Sequence, residues 1–370
     1  MARGTVAAPA SETTAPPPRA NPDLDGHEAA ERELRRLFEG GRLPHALLLS
    51  GPRGIGKATL AFRLARFVLA RSGFEREHER ASQAREEGLA IAPDSGVFRR
   101  VAAGGHADLL TVERGYDPRR RRMRSEIIVA DARDITAFMH LTPAEGGWRI
   151  VVVDGADELN RNAANALLKI LEEPPRRSLL ILVAHMPGQL LPTIRSRCCR
   201  VPLSPLAPAV LRRLLARYRP DLAETEAEGL LTLADGSIGR ALDLAQAGGL
   251  ELYRSVLALV ARLDPGVLHA FADRLARPEA EDGYRIVQEL VARFLARIAI
   301  VAARHEAEAP PAIADGEREA MRRLSGPDRA PIWAGLRDEI ARDFARTDEL
   351  NLDRKQAILG AFFAIDRAAG

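Results

Sequence analysis

A glycine-rich stretch ending in lysine lies between two elements with opposite hydrophobic patterns. Residues 51–57 read Gly-Pro-Arg-Gly-Ile-Gly-Lys, after the apolar run 46–49 and before apolar residues at helical spacing. This order predicts a buried strand, a loop and a helix. Such a loop turns backbone N–H groups toward a phosphate, and its lysine reaches the outer phosphates. The predicted nucleotide-binding residues are Gly51, Gly54, Gly56 and Lys57, with Thr59 and Asp154 as further candidates.

The residue after the loop lysine is unusual. A phosphate loop of this type normally continues with Ser or Thr, whose hydroxyl binds Mg²⁺, but this chain has Ala58. Thr59 is one residue late and points roughly 100° further round the helix. The sequence therefore predicts impaired nucleotide binding. It leaves open whether ATP and Mg²⁺ are held without hydrolysis.

A carboxylate follows a second apolar run. Asp154 ends "RIVVVD", and ligands of open parallel sheets bind at the carboxyl ends of the strands. An aspartate there commonly holds Mg²⁺ through water. The next residue is Gly155, where a hydrolysing ATPase of this broad class carries a glutamate. Asp157 and Glu158 lie at the entry to the next helix, and capping alone explains them.

The stretch "LLPTIRSRCCRV" places arginines beyond the apolar strand 178–184. A charged side chain there can leave the domain surface, and Arg197 is the candidate. Spacing alone does not distinguish it from an ordinary surface arginine.

Four apolar strands alternate with helices in the first part of the chain. They lie in "HALLLSG", "ADLLTVER", "WRIVVVDGAD" and "SLLILVAH". This alternation predicts a parallel sheet covered by helices on both faces. After the proline-rich stretch 201–208, strand signals give way to helices. The predicted domains are a disordered tail (1–24), an α/β domain (25–204), a small helical domain (205–250) and a C-terminal helical domain (251–370).

Composition and hydropathy bear on the compartment in which the protein works. The net charge is only +3, and the two cysteines, Cys198 and Cys199, are adjacent, which fits a reducing compartment. No run reaches the ~18 apolar residues that span a membrane, and the N-terminus lacks a signal-peptide core. We therefore expect a cytoplasmic protein without a membrane partner.

Two polar segments are ambiguous. Residues 71–103 are charged and predict a surface insertion. The arginine run Arg119–Arg124 is either a solvated loop or a phosphate contact, and no aromatic residues accompany it for base stacking.

Taken in order, "GPRGIGKAT", "VVVDGADELN", "NAANALLKILEEPP" and "TIRSRC" resemble the bacterial sliding-clamp loader of DNA polymerase III, most closely its delta-prime family. The resemblance covers about residues 25–245. It implies an AAA+ fold: a RecA-like domain, a helical lid and a helical collar domain. It also implies a five-subunit ring with gamma/tau and delta subunits, which acts on the sliding clamp and on primed DNA.

The resemblance implies a role for each matching residue. Lys57 would be the phosphate-loop lysine and Asp154 the metal-binding acid. Arg197 would be an arginine finger, an arginine that one subunit places at the ATP of its neighbour. A guanidinium supplied in this way stabilises the charge that develops on the γ-phosphoryl group.

The departures from the resemblance all affect residues that active subunits use to hydrolyse ATP. Active loader subunits carry Ser or Thr where this chain has Ala58, and Glu where it has Gly155. They carry a lid arginine where this chain has Gly239, with Arg240 displaced by one residue. They carry a polar sensor where it has Ala184-His185. The expected protein supplies Arg197 and does not turn over its own ATP, so its enzyme label would be that of the DNA-directed DNA polymerase holoenzyme. Relatives carry a four-cysteine zinc module, but residues 71–103 contain no cysteine, so no zinc is predicted.

Three other functions would use parts of the same sequence. A gamma/tau-type motor subunit needs a base or water-positioning acid at Gly155. A small-molecule kinase would share the phosphate loop, but it has no reason for "LEEPP" followed by "SRC". A DNA-binding regulator would rest on Arg119–Arg124 and show steeply salt-dependent binding.

Overall fold

The computed structural model describes residues 15–72, 88–117, 122–303, 312–326 and 328–369. These divide into two compact units. The first runs to Arg219 and includes Gly236–Arg240, and the second comprises Pro220–Asp235 and the chain from Ala241 onward. The three-domain division drawn from the sequence stays a prediction.

The first unit is built on a parallel sheet. In the described residues its strands are β1 (Ala46–Ser50), β2 (Leu109–Val112), β5 (Arg149–Asp154), β6 (Ser178–Ala184) and β7 (Cys199–Pro202). Their order across the sheet is β2-β5-β6-β1-β7. Two short strands, β3 (Tyr116–Asp117) and β4 (Arg122–Met123), form a separate antiparallel pair. The four strands predicted from apolar runs are confirmed.

The strand β7 was missed by the sequence analysis, which ended the sheet at residue 184. It pairs with β1 in parallel, with Leu47 opposite Cys199. Three of its four residues are exposed, so it has no apolar run that marks it as a strand. Its place in the sheet depends on hydrogen bonds to β1, which sequence periodicity does not report.

Helices cover both faces of this sheet. They are α1 (Glu28–Glu39), α2 (Lys57–Ser72), α3 (Gly96–Ala102), α4 (Val129–Met139), α5 (Arg161–Glu172) and α6 (Pro192–Arg195). The helix α7 (Pro208–Tyr218) follows β7 along the chain. Alternate strand residues point to opposite faces. Leu47 and Val152 therefore pack with α2 and α3, whereas Leu48 and Val153 pack with α4 and α5. The RecA-like AAA+ fold class predicted from the sequence is confirmed.

The described part of the predicted surface insertion, residues 88–103, differs from that expectation. Leu89, Ile91 and Phe98 are buried in the core beside α2. The guanidinium of Arg66 on α2 stacks over Phe98, with its carbon 4.5 Å from the ring centre. These three residues are apolar, but the segment as a whole is polar, so its composition did not indicate that they are buried. Residues 73–87 lie outside the described residues.

The predicted N-terminal tail also has a described part. Residues 1–14 lie outside the described residues, but Pro18–Ala20 forms a turn of 3₁₀ helix. Arg66, which is 1% exposed, donates hydrogen bonds to the carbonyl oxygens of Arg19 at 2.9 Å and Asn21 at 2.7 Å. This segment therefore contacts α2, because the buried guanidinium needs acceptors and the chain before α1 supplies them.

The second unit is helical throughout its described residues. It contains α8 (Glu224–Ala234), most of α9 (Ile238–Gln246), α10 (Gly249–Ala261), α11 (Pro265–Leu275), α12 (Glu281–Ala303), α13 (Glu317–Leu324), α14 (Ala330–Leu350) and α15 (Arg354–Ala369). Aromatic pairs join its helices, with Tyr284 edge-on to Phe344 at 6.0 Å and Phe271 edge-on to Phe362 at 6.1 Å. The expected change from strands to helices after residues 201–208 is confirmed.

Candidate functional site

The predicted phosphate loop and Asp154 lie at one edge of the sheet. Ser50, the last residue of β1, is opposite Ala184, and Asp154 is opposite Val183 of the same strand β6. The carboxyl ends of these three adjacent strands therefore meet. That common edge carries the loop that begins at Gly51, the carboxylate of Asp154, and His185, which is the residue after β6.

The backbone of the loop has the conformation of an anion site. Gly54 has a φ of +75°, and a Cβ atom there would collide with the hydroxyl of Ser237. Within the described residues, the N–H groups of Gly54, Gly56 and Lys57 donate no hydrogen bond to another group. Free N–H groups at the start of a helix attract a phosphate. The loop therefore retains its donors although the hydroxyl at position 58 is missing.

Residues 237–239 contact the loop from its carbonyl side. Ser237 Oγ donates to Arg53 O at 2.7 Å, and the N–H of Gly239 donates to Gly54 O at 2.9 Å. A Cβ atom at Gly239 would lie 2.8 Å from Gly54 Cα. The close approach of the two backbones excludes a side chain at position 239. An arginine at this position, as in active loader subunits, has no room in this arrangement.

Lys57 is buried under the loop. It is 3% exposed, and its Nζ donates to Gly51 O at 2.7 Å and also to Pro52 O. Burial lowers the pKa of Lys57 to about 8, while the charges of Asp154 and Asp157 act in the opposite direction. The ammonium is charged at neutral pH, which is the form that binds a phosphate.

Asp154 lies in an environment that disfavours its charge. Burial and the nearby charge of Glu113 raise the pKa of Asp154 to about 6, against a partial compensation from Lys57. A metal ion or a phosphate-bound cation would remove this penalty, because a cation favours the carboxylate form. The raised pKa therefore fits a group adapted to a ligand.

We expect Asp154→Asn to stabilise the protein in a pH-dependent manner. The folded pKa of about 6 lies above the ordinary value of 3.8, so wild-type stability falls as the pH rises through this window. The variant avoids that loss. Its advantage in free energy of unfolding should be small near pH 4 and reach about 1–3 kcal/mol at pH 7. Denaturant titrations across this range measure it.

The exposed Asp94 provides the control for this comparison. Asp94→Asn removes a carboxylate from an exposed position, so its free energy of unfolding should stay near that of wild type at pH 7. A pH-independent difference between Asp154→Asn and wild type would contradict the assignment of a destabilised carboxylate at Asp154.

Gly155 and the acids that follow it form a second part of the site. Gly155 has a φ of +80°, and a Cβ atom there would lie 2.6 Å from Glu158 Oε2. That carboxylate forms an ion pair with Arg114 at 2.9 Å. A glutamate at position 155 would be strained in this backbone and would displace Glu158. The positive φ of Gly155 therefore disfavours a glutamate at this position, whereas the flexible end of Glu158 can move aside.

The expectation that Asp157 and Glu158 serve only as helix caps is wrong. Asp157 accepts hydrogen bonds from the backbone N–H groups of His185, at 3.0 Å, and Met186, at 2.7 Å. The cap of α5 is Asn160, whose side chain accepts from the Ala163 N–H at 2.9 Å. Asp157 therefore fixes the end of β6 against the end of β5.

His185 is the described residue at the position of the polar sensor. Its pKa is lowered to about 4, first by burial and then by the charge of Lys57, so the imidazole is neutral at pH 7. Its Nδ1 is buried and has no hydrogen-bond partner in the described part of the chain. Ala184-His185 lacks the hydroxyl expected at this position, but the imidazole of His185 is a polar group close to the charge of Lys57.

Arg197 lies apart from the loop residues in its contacts. It follows α6, its side chain is 37% exposed, and its Nη2 lies 2.8 Å from Glu172 Oε1. Its Nη1 donates to Thr193 O at 3.1 Å. None of the described hydrogen bonds or ion pairs joins it to Lys57 or Asp154. The geometry therefore gives two sites, a phosphate loop and an exposed arginine, in one unit.

Thr59, the remaining candidate, is buried in the first turn of α2 at 7% exposure. No described hydrogen bond links its hydroxyl to the loop. The residues thus fit the phosphates of a nucleotide through Lys57 and the free N–H groups. They fit Mg²⁺ less well, since Asp154 is present but Ala58 has no oxygen.

The arginine run is only partly covered by the structure. Residues 118–121 lie outside the described residues, and Arg122 belongs to β4. The predicted phosphate contact at Arg119–Arg124 stays untested, and so does the prediction that no zinc is bound. Glu172 was missed altogether, because its contact with Arg197 joins positions 25 residues apart in the sequence.

A phosphate loop after β1, an acid after β5 and a parallel sheet with helices on both faces define a P-loop domain of the RecA-like AAA+ class. The described part of the chain contains no helix with the length and apolar character needed to cross a bilayer. Residues 26–207 match the family described as "DNA polymerase III, delta subunit". The similarity to this family lies in that part of the sequence.

Individual relatives agree with the family. The chain is 36% identical over 200 residues to DNA polymerase III subunit delta' of Pseudomonas aeruginosa, covering 54% of this chain and 55% of the relative. It is 28% identical over 279 residues to DNA polymerase III subunit gamma/tau of Mycobacterium bovis, covering 73% and 45%. The chain therefore spans about half the length of the curated relatives it matches.

A solved structure of a DNA polymerase III gamma subunit-related protein from Thermotoga maritima is also similar to this chain. The TM-score is 0.44 and the sequence identity 17%, with 94% of this chain and 100% of the other covered.

Proposed function

We propose that this chain is the delta-prime subunit of a bacterial sliding-clamp loader and that it supplies Arg197 as an arginine finger to a neighbouring ATPase subunit. The observation that carries the proposal is the contrast between the two sites. The chain's own loop site has Ala58 and a glycine of positive φ at position 155, whereas Arg197 is exposed and hydrogen-bonded in place.

The proposed assembly is a five-subunit ring with gamma/tau and delta subunits, working on the sliding clamp and on primed DNA in the cytoplasm. Relatives named as delta' and gamma/tau subunits of one polymerase support such a complex. The helical second unit would hold the ring together. In this assembly the chain is a largely rigid member that completes its neighbour's site.

A gamma/tau-type motor is the alternative from the same complex. The delta' relative is more similar, at 36% identity against 28% for the gamma/tau relative. A motor also needs an acid at position 155, where this chain has a glycine whose φ of +80° would strain any other residue. Both observations favour the delta-prime function.

A nucleotide held without hydrolysis is compatible with this role. Lys57 and the free N–H groups of Gly54 and Gly56 would bind the phosphates, and Asp154 would face the bound cation. The negative charge of the bound phosphates would offset the positive charge of Lys57 and so stabilise the loop. His185 would lie near the outermost phosphate as a neutral hydrogen-bonding group.

We expect Lys57→Ala to leave DNA- and clamp-stimulated ATP hydrolysis by the reconstituted loader near the wild-type rate. The substitution removes the phosphate-binding ammonium from a site that lacks the groups for hydrolysis, so turnover elsewhere in the ring should continue. Steady-state phosphate release from complexes carrying one substituted subunit measures this. A severe loss would mean that the chain hydrolyses its own ATP.

A further inference from the structure

We infer that Glu172 is a positioning residue for Arg197, holding its guanidinium ready for the neighbouring subunit. This inference rests on the proposed function, because it gives Glu172 a task only if Arg197 acts in trans. It concerns a carboxylate at the end of α5, in the stretch "LEEPP", for which the phosphate-loop site has no use.

Two acceptors hold the guanidinium from different nitrogens. Glu172 Oε1 lies 2.8 Å from Nη2, and Thr193 O accepts from Nη1 at 3.1 Å. Thr193 belongs to α6 and Glu172 to α5, and the two helices pack together. A planar guanidinium held at both terminal nitrogens has a fixed plane and direction.

The contacts leave enough donors for a phosphate. A guanidinium carries five N–H groups, and these two acceptors use one on each terminal nitrogen. The remaining N–H groups can face the partner's γ-phosphoryl oxygens while Glu172 stays bound. A free arginine side chain would lose rotamer freedom on reaching a phosphate, so a side chain that is already held loses less.

The position of Glu172 is set by the core of the unit. Ile170 and Leu171, just before it, are 2% and 3% exposed, and Pro174 and Pro175 follow shortly after the helix. The next residue, Glu173, is exposed and takes part in no ion pair among the described residues. Both glutamates are exposed at the end of the helix, and only Glu172 contacts Arg197, which makes Glu173 a matched control.

The test uses the reconstituted loader and DNA- and clamp-stimulated ATP hydrolysis. Glu172→Ala should lower kcat by about 3- to 5-fold, in keeping with the modest strength of exposed ion pairs, and leave KM for ATP unchanged. Glu172→Gln should recover part of the loss, because its amide oxygen still accepts an N–H group. Glu173→Ala should match wild type. Size-exclusion chromatography confirms that each complex assembles.

The same substitutions in an Arg197→Ala background separate positioning from a general structural role. There, Glu172→Ala should cause no further loss. An equal loss in both backgrounds, a wild-type rate for Glu172→Ala, or an increased rate would overturn the inference while leaving the finger in place. If Arg197→Ala itself retains the full rate, the proposed function fails, and this inference fails with it.

Discussion

Arg197→Ala is expected to cut ATP hydrolysis at the neighbouring subunit's site by ~10³-fold or more, the effect of removing an arginine finger. The loss should appear in kcat, because the guanidinium stabilises charge that develops on the γ-phosphoryl oxygens in the transition state. DNA- and clamp-stimulated phosphate release by the reconstituted loader measures it. The stability of the substituted subunit should change little, since the side chain is 37% exposed.

The control is Arg200→Ala, three residues further on. Arg200 is an exposed arginine on β7, so the substitution removes the same charge from an exposed position nearby in the chain. It should leave the rate near wild type. Equal losses for both variants would indicate a general effect of surface charge on assembly, and no loss for Arg197→Ala would contradict the finger.

Arg197→Lys makes the comparison more specific. Lysine keeps the positive charge but lacks the planar fork that contacts two oxygens at once. We expect it to recover only a small part of the lost rate, because the transition-state charge is spread over several oxygens. Full activity with lysine would mean that the site needs a charge only, without the geometry of the guanidinium.

The parts of the fold that follow from local sequence were predictable. The phosphate loop needs a strand, glycines and a helix in consecutive order, and residues 46–72 contain all three patterns. The buried strands β5 and β6 are recognisable in the sequence as apolar runs. These elements obtain their structure from hydrophobic periodicity and turn chemistry, both of which are visible in a single sequence.

The missed features depend on contacts between distant positions. The strand β7 is defined by its pairing with β1, about 150 positions earlier. Asp157 has the sequence context of a helix cap, but its acceptor atoms face the backbone after β6, and Asn160 forms the cap instead. Local pattern specifies a capping residue type without specifying its partner.

The candidate site divides in the same way. Sequence named Lys57, Asp154 and Arg197, because each has a defined place relative to a strand end. It could not show that Gly155 has a positive φ beside Glu158, that His185 is a neutral group near Lys57, or that Glu172 holds Arg197. Each of these depends on side chains that meet only after folding.

The second large expected effect concerns the helical unit. Glu317 is fully buried, and its carboxylate accepts hydrogen bonds from Tyr253 Oη at 2.7 Å, Arg297 Nε at 2.8 Å and the Ile313 N–H at 2.5 Å. One side chain thus joins α10, α12 and the segment before α13. Burial and the carboxylate raise the pKa of Tyr253, so its hydroxyl remains protonated and continues to donate.

We expect Glu317→Ala to destabilise this unit by about 3–5 kcal/mol, because it leaves a buried guanidinium, a hydroxyl and an N–H group without the carboxylate that all three use. Glu319→Ala is the control, since Glu319 is exposed two residues further along α13. Denaturant unfolding of the full chain measures the midpoint. A cost equal to that of Glu319→Ala would contradict the assignment.

The location of the loss distinguishes this prediction from general damage. The chain has two compact units, so unfolding need not be a single two-state transition. Hydrogen exchange should show lost protection in peptides from α10 and α12, while peptides from β5 and β6 keep theirs. If the helical unit holds the proposed ring together, Glu317→Ala should weaken assembly and leave the phosphate loop folded. Arg197→Ala should do the reverse, leaving assembly intact and hydrolysis impaired.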